Sequence, residues 1–123
     1  MRIKHYWQRA TRGYSDEDLW GFQDYLSVMI PSALRRLKEM NSSCPSDLYD
    51  EKKVNDEFHK WNEILEEIAQ GFEATKNPDC MYWDKAKEGY MEMKYDKKKS
   101  AQQAKKFERG MDLFKEYYYN LWD

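Results

Sequence analysis

Ala104-Lys105-Lys106-Phe107-Glu108-Arg109-Gly110-Met111-Asp112-Leu113-Phe114-Lys115-Glu116-Tyr117-Tyr118-Tyr119-Asn120-Leu121-Trp122 is the stretch on which the fold reading turns. Ala104, Phe107, Met111, Phe114, Tyr118 and Leu121 recur at steps of three and four, the repeat of one helical face. That spacing predicts a C-terminal helix with Phe107, Met111, Phe114, Tyr118 and Leu121 in a core and Ser100 as its cap. Tyr117, Tyr119 and Trp122 exceed what one packed wall needs. They are read as an interaction surface for an N-terminal arm or a partner chain.

Two further segments carry the same period. Leu19, Phe22, Leu26, Met29, Ile30, Ala33 and Leu37 form one face, introduced by Ser15 and the acids Asp16, Glu17 and Asp18. Ser15 and Asp18 have capping-box spacing, with Asp in place of the usual Glu. Pro31 lacks a backbone donor, so a kink near Ser27 to Pro31, or two abutting helices, is expected. Val54, Phe58, Trp61, Ile64, Leu65, Ile68 and Phe72 form the next face. Its start falls between Asp50 and Asn55, and it ends before Asn77-Pro78. Asn41 to Asp47 reads as a loop by composition.

Two regions resist the pattern. Residues 1–14 carry Arg2, Lys4, Arg9 and Arg12 without an acid. They read as an N-terminal arm, extended or as a short helix closed by Gly13. Residues 77–99 read as an irregular, partly helical connection, because Gly89 and Lys97-Lys98-Lys99 weaken the spacing of Trp83, Ala86, Tyr90 and Met93. No strand is supported, and the glycines do not sit as hairpin turns. The fold expected is therefore all-α: one helical domain, a three- or four-helix bundle with a proline-kinked first long helix and a basic aromatic arm.

Composition bounds the rest. The chain has 123 residues, 36% of them charged, with a mean hydropathy of -1.11. Those values lean toward disorder, but 5 Trp and 10 Tyr argue for a core that is large in area per residue. The formal net charge of -2 gives no bulk attraction to duplex nucleic acid or an anionic membrane. No run approaches the ~18 apolar residues of a membrane span. No secretory signal is legible, so the expectation is an intracellular protein whose Cys44 and Cys80 are not paired.

Chemistry is hard to find. His5 and His59 are the only histidines, Glu-x-x-His is absent, and the two cysteines lack zinc spacing. No Gly-x-Ser-x-Gly elbow and no glycine-rich phosphate loop occurs. The reading is no enzyme, no metal and no cofactor. The most suggestive group interleaves cations with rings: Trp7, Arg9, Arg12 and Tyr14, joined by Arg35 and Arg36 if the arm folds back. Arginine offers forked donors to phosphate and the rings offer stacking faces, so these residues are the candidate ligand-binding set; the competing and favoured reading is a basic arm docked on the acidic helices, with Trp7 buried as its anchor.

Two strings are more specific than composition. One runs Trp7-Gln8-Arg9-Ala10-Thr11-Arg12-Gly13-Tyr14-Ser15-Asp16-Glu17-Asp18-Leu19-Trp20, through Asp24-Tyr25-Leu26, to Pro31-Ser32-Ala33-Leu34-Arg35-Arg36-Leu37. The other runs from Gly110 to Tyr118 and ends Leu121-Trp122-Asp123. With the segment from Trp61 to Phe72, they resemble a family of small proteins of unknown function encoded by tailed bacteriophages. The resemblance spans about three-quarters of the chain and implies a product acting in the cytoplasm of an infected bacterium, or built into its virion. It carries no activity over to any residue. The function expected is binding: a counter-defence factor that binds a host protein or sequesters a phosphorylated nucleotide, alone or as a homo-oligomer. A virion or assembly component is the alternative, and a small hydrolase the third reading.

Overall fold

The computed structural model describes residues 2–41, 44–48, 56–76 and 80–122, apart from the side chains at 47, 56 and 57. Five α-helices and one antiparallel hairpin occur among them: α1 (Ile3–Arg12), α2 (Asp16–Trp20), α3 (Phe22–Met40), α4 (Asp56–Glu73), β1 (Met81–Lys85), β2 (Met91–Tyr95) and α5 (Lys97–Glu116). Short 3-10 turns cover Ser46–Leu48 and Tyr118–Asn120. The hairpin overturns the all-helical expectation, and five helices replace three or four. No helix among the described residues is long and apolar enough to cross a membrane.

The first 14 residues contain a helix rather than an extended arm. Gly13 closes α1 at φ 85, and its N–H reaches the Arg9 carbonyl at 2.9 Å. Only glycine adopts that left-handed angle without strain. Ser15 then starts α2 with the predicted capping box: its hydroxyl accepts the Asp18 N–H, and its own N–H donates to Asp18 Oδ2 at 2.8 Å. The break in the first long helix falls at Gly21, not at Pro31. α3 runs through Pro31, which is buried with Ser27 and Leu34. The expected helix start between Asp50 and Asn55 lies outside the described residues.

α4 is the central element and packs on both α3 and α5. Trp61, Leu65, Ile68, Ala69 and Phe72 form its buried face, meeting Leu34 from α3 and Leu113 and Tyr117 from the C-terminal side. Trp61 and Tyr117 meet edge to face at 5.5 Å, as do Phe72 and Phe114. The reason α5 presents this face is a pair of glycines. A Cβ on Gly110 would lie 2.9 Å from the Gly71 Cα, and one on Gly71 would lie 2.8 Å from the Gly110 Cα. The two backbones touch there, so the docking line runs Gly110, Leu113, Tyr117. The predicted core line is therefore rotated: Phe107, Met111 and Tyr118 are partly exposed. The cap of α5 is Asp96, whose side chain accepts the Lys99 N–H at 3.0 Å, and not Ser100.

Residues 81–95 replace the expected irregular connection. Trp83 pairs with Met93 and Asp84 with Glu92 across the strands. The loop is Lys87-Glu88-Gly89: Ala86 donates to the Tyr90 carbonyl, Gly89 donates to the Ala86 carbonyl, and Gly89 has φ 90. This is the three-residue turn that ends in a left-handed glycine.

Candidate functional site

The basic aromatic residues and the hairpin are the two candidate surfaces, and the structure treats them differently. Every arginine of the first group is held by a carboxylate. Arg9 donates twice to Asp18, at 3.0 and 2.5 Å, with Tyr25 under its guanidinium at 5.6 Å. Its hydrogen bonds, helped by Ser15, hold the Asp18 carboxyl far below the usual range, against the burial that would raise it. Arg12 bonds Asp16 at 2.7 Å and the Tyr14 carbonyl at 3.0 Å, and lies over the Tyr14 ring. Arg35 bridges Glu66 and Glu73 on α4, and Arg36 bonds Glu39. Trp7 is exposed and is not the buried anchor of the docked arm.

Arg9 and Arg36 do meet at one open cavity of about 690 Å³, together with Tyr25. Glu17, Asp18 and Asp24 line the same space, so it offers an anion no excess of positive charge. Arg12 and Tyr14 line a different cavity, and Arg35 lines a third, of about 540 Å³, with Arg36, Lys76 and the acids Glu39 and Glu73. The proposed phosphate donors are thus divided, and each is already bound to an acid or its neighbour.

The arm also builds a contact that no motif announces. His5 is buried, and its Nδ1 lies 2.6 Å from Ser15 Oγ, with Glu17 Oε2 3.6 Å from the same nitrogen. A nucleophilic serine needs its histidine base oriented through the opposite ring nitrogen. Here the hydroxyl and the acid crowd one nitrogen, and the hydroxyl is fully buried as a helix cap. The arrangement is structural. Cys80 is likewise buried, with its thiol donating to Gln103 Oε1 at 3.0 Å. The apolar cavity of about 640 Å³ that it lines holds no histidine among the described residues. Cys44 and Cys80 are not joined to each other. His59 is exposed and bonds Glu63 at 3.0 Å. Among the described residues no group of three His, Cys, Asp or Glu side chains could hold a metal ion.

The predicted C-terminal surface splits. Tyr117 belongs to the core, whereas Tyr119 and Trp122 are exposed.

The hairpin is the surface that the sequence reading missed. Alternation places Met81, Trp83, Lys85, Met91, Met93 and Tyr95 on one face, and Tyr82, Asp84, Glu92 and Lys94 on the other. The polar face is closed by Lys94, which bonds Asp84 at 3.1 Å and reaches Glu92 at 3.7 Å. Among the described residues the apolar face is covered only at Tyr95, whose hydroxyl meets Ser100 Oγ on α5: Trp83 is 63% exposed, and Met81, Met91, Met93 and Tyr95 are all exposed. The signal was there as period two in the odd positions on either side of a loop ending in Gly89.

No family model matches the chain, and neither a curated protein nor a solved structure matches it. Nothing in those comparisons bears on phage origin, host interaction or counter-defence.

Proposed function

We propose that the protein is a non-enzymatic binding protein that engages an apolar surface of a protein partner through the face Met81, Trp83, Met91, Met93 and Tyr95. The observation that carries this reading is the exposure of all five on one side of a hairpin that, among the described residues, packs on little else. Large side chains carry roughly 150–250 Å² each, so their exposed fractions come to about 500 Å² of contiguous apolar surface. The largest apolar patch on a typical soluble chain is of about that size and is often functional. Trp and Tyr supply rigid anchors, and the methionine thioethers adapt to the partner's shape. The arginine cluster supports a phosphorylated ligand less well, because its cations are already neutralised in place.

The experiment is affinity capture from cells expressing the protein, with wild type, a Trp83→Ser/Met93→Ser variant and an Arg9→Ala/Arg12→Ala variant. A partner held by wild type should be lost from the hairpin variant and kept by the arginine variant. Capture that survives the hairpin changes and fails with the arginine changes would move the site to the N-terminal cluster.

A further inference from the structure

The edges of the hairpin carry information that its faces do not. Asp96 donates to the Cys80 carbonyl and Ala86 to the Tyr90 carbonyl. With the register of β1 on β2, alternation makes Tyr82–Lys94 and Asp84–Glu92 the hydrogen-bonded pairs. The even residues of β2 therefore turn their backbone groups inward. Met91, Met93 and Tyr95 turn theirs outward, and among the described residues no main-chain bond reaches them. An edge of this kind is a template for another strand.

We propose that a second copy of this chain pairs antiparallel with the outer edge of β2 about a two-fold axis at Met93, giving a continuous sheet in the order β1-β2-β2′-β1′. Two independent features of the strand select this partner and this register. The first is backbone completeness. With the axis at Met93, Met93 faces its own copy and Met91 faces Tyr95 of the second chain, so every outward N–H and C=O of the strand is paired. An axis at Glu92 or Lys94 leaves the groups of Tyr95 or Met91 facing the turn or the start of α5. The second is charge. An axis at Glu92 sets Glu92 against itself, and one at Lys94 sets Lys94 against itself. Only the Met93 axis places Glu92 opposite Lys94 of the other copy, twice by symmetry. Within one hairpin, Asp84 and Glu92 are like charges directly opposite, with Lys94 between them. The second Lys94 relieves that pair. The outer edge of β1 has no such complement, since an axis at Trp83 opposes Asp84 to Tyr82 and Lys85 to Met81.

The pairing uses the edge and leaves the apolar face open, so it stands independently of the partner reading. It also joins two faces of about 500 Å² on one side of the sheet, which exceeds the ~800 Å² per partner of a standard interface.

Sedimentation equilibrium over a concentration series tests it. Wild type should dimerise. Glu92→Lys alone and Lys94→Glu alone should each weaken the dimer by about tenfold or more, as two attractive pairs become repulsive. An equimolar mixture of the two should form a heterodimer, and Glu92→Lys/Lys94→Glu in one chain should dimerise like wild type. Residue-resolved hydrogen exchange on wild type needs no folded variant: the amides of Met91, Met93 and Tyr95 should be protected in the dimer and lose protection on dilution, while those of Glu92 and Lys94 keep it. A monomer at every concentration, a dimer indifferent to the charge swaps, or outward amides unprotected in the dimer would each overturn the proposal.

Discussion

The crossing of α4 and α5 and the hairpin between them use the same residue types to opposite ends. Trp61 in the crossing is 1% exposed, whereas Trp83 in the hairpin is 63% exposed. Glycine differs in the same way. Gly71 and Gly110 remove side chains so that two helices touch, and Gly89 uses its freedom at positive φ to turn a loop. A helix pair can enclose an aromatic between its own surfaces. An isolated two-stranded hairpin cannot, and such hairpins are marginal unless something packs on them. The α4–α5 crossing closes over its aromatics and the hairpin leaves its own open, as do α1 and α2 at Trp7 and Trp20.

The hardest test of the closed half is Gly110→Ala. At an exposed helical site this change stabilises by about 0.5–1 kcal/mol. Here the new methyl meets backbone on α4, 2.9 Å from the Gly71 Cα and 3.3 Å from the Glu67 carbonyl oxygen. Overpacking costs roughly 1–3 kcal/mol, and a backbone neighbour that cannot swing aside puts this site at the upper end, so after that gain a net loss of about 2 kcal/mol is expected in urea denaturation. A gain in stability would mean that the helices do not touch. Gly89→Ala has open space around it, so its cost is the strained φ alone and should be smaller.

Ser15→Ala comes next. It removes the cap of α2 and the partner of buried His5 together. A loss of about 1–2 kcal/mol is expected by thermal unfolding. The hairpin should be untouched, with the exchange rates of its inward amides unchanged in the folded state.

Much of the closed half was legible. The period of Trp61 to Phe72 gave α4 its buried side, and Ser15 with Asp18 announced the start of α2. The rotation of α5 was not legible, because Gly110 contributes nothing to a hydropathy pattern while deciding which face can approach. That the Arg-rich arm docks on acids was legible, but which acid holds which arginine was not. Asp16, Glu17 and Asp18 suit a helix start, and that use concealed their second one as partners for Arg12, Arg2 and Arg9. The hairpin failed for a different reason. Charged residues occupy one of its faces and no burial marks the other, so its two-residue period is short and carries lysines at both ends.

Acid should distinguish the halves more gently. The Arg35 guanidinium, aided by Lys38 and Gln70, holds Glu66 down to about 2 from its ordinary 4.5. The folded value lies below the unfolded one. Its contribution is therefore complete above about pH 4.5 and drains away as pH falls toward 2. Solvent screens this partly exposed pair, so the α3–α4 tie is worth about 1 kcal/mol. Arg35→Met should flatten that part of the stability–pH curve. An unchanged slope would remove Glu66 as its source.

The smallest expected effect is the most informative about the open half. Trp83→Ala removes one cross-strand neighbour of Met93 and almost no buried area. Global stability should change by less than about 0.5 kcal/mol, as for a surface site. The equivalent loss at Trp61 would cost about 3–5 kcal/mol. If Trp83 exists to meet another protein, capture of that partner should collapse in a variant whose unfolding curve overlays the wild type. A large stability loss at Trp83 would instead mean that its ring is covered within the chain, and the hairpin would then belong to the closed half after all.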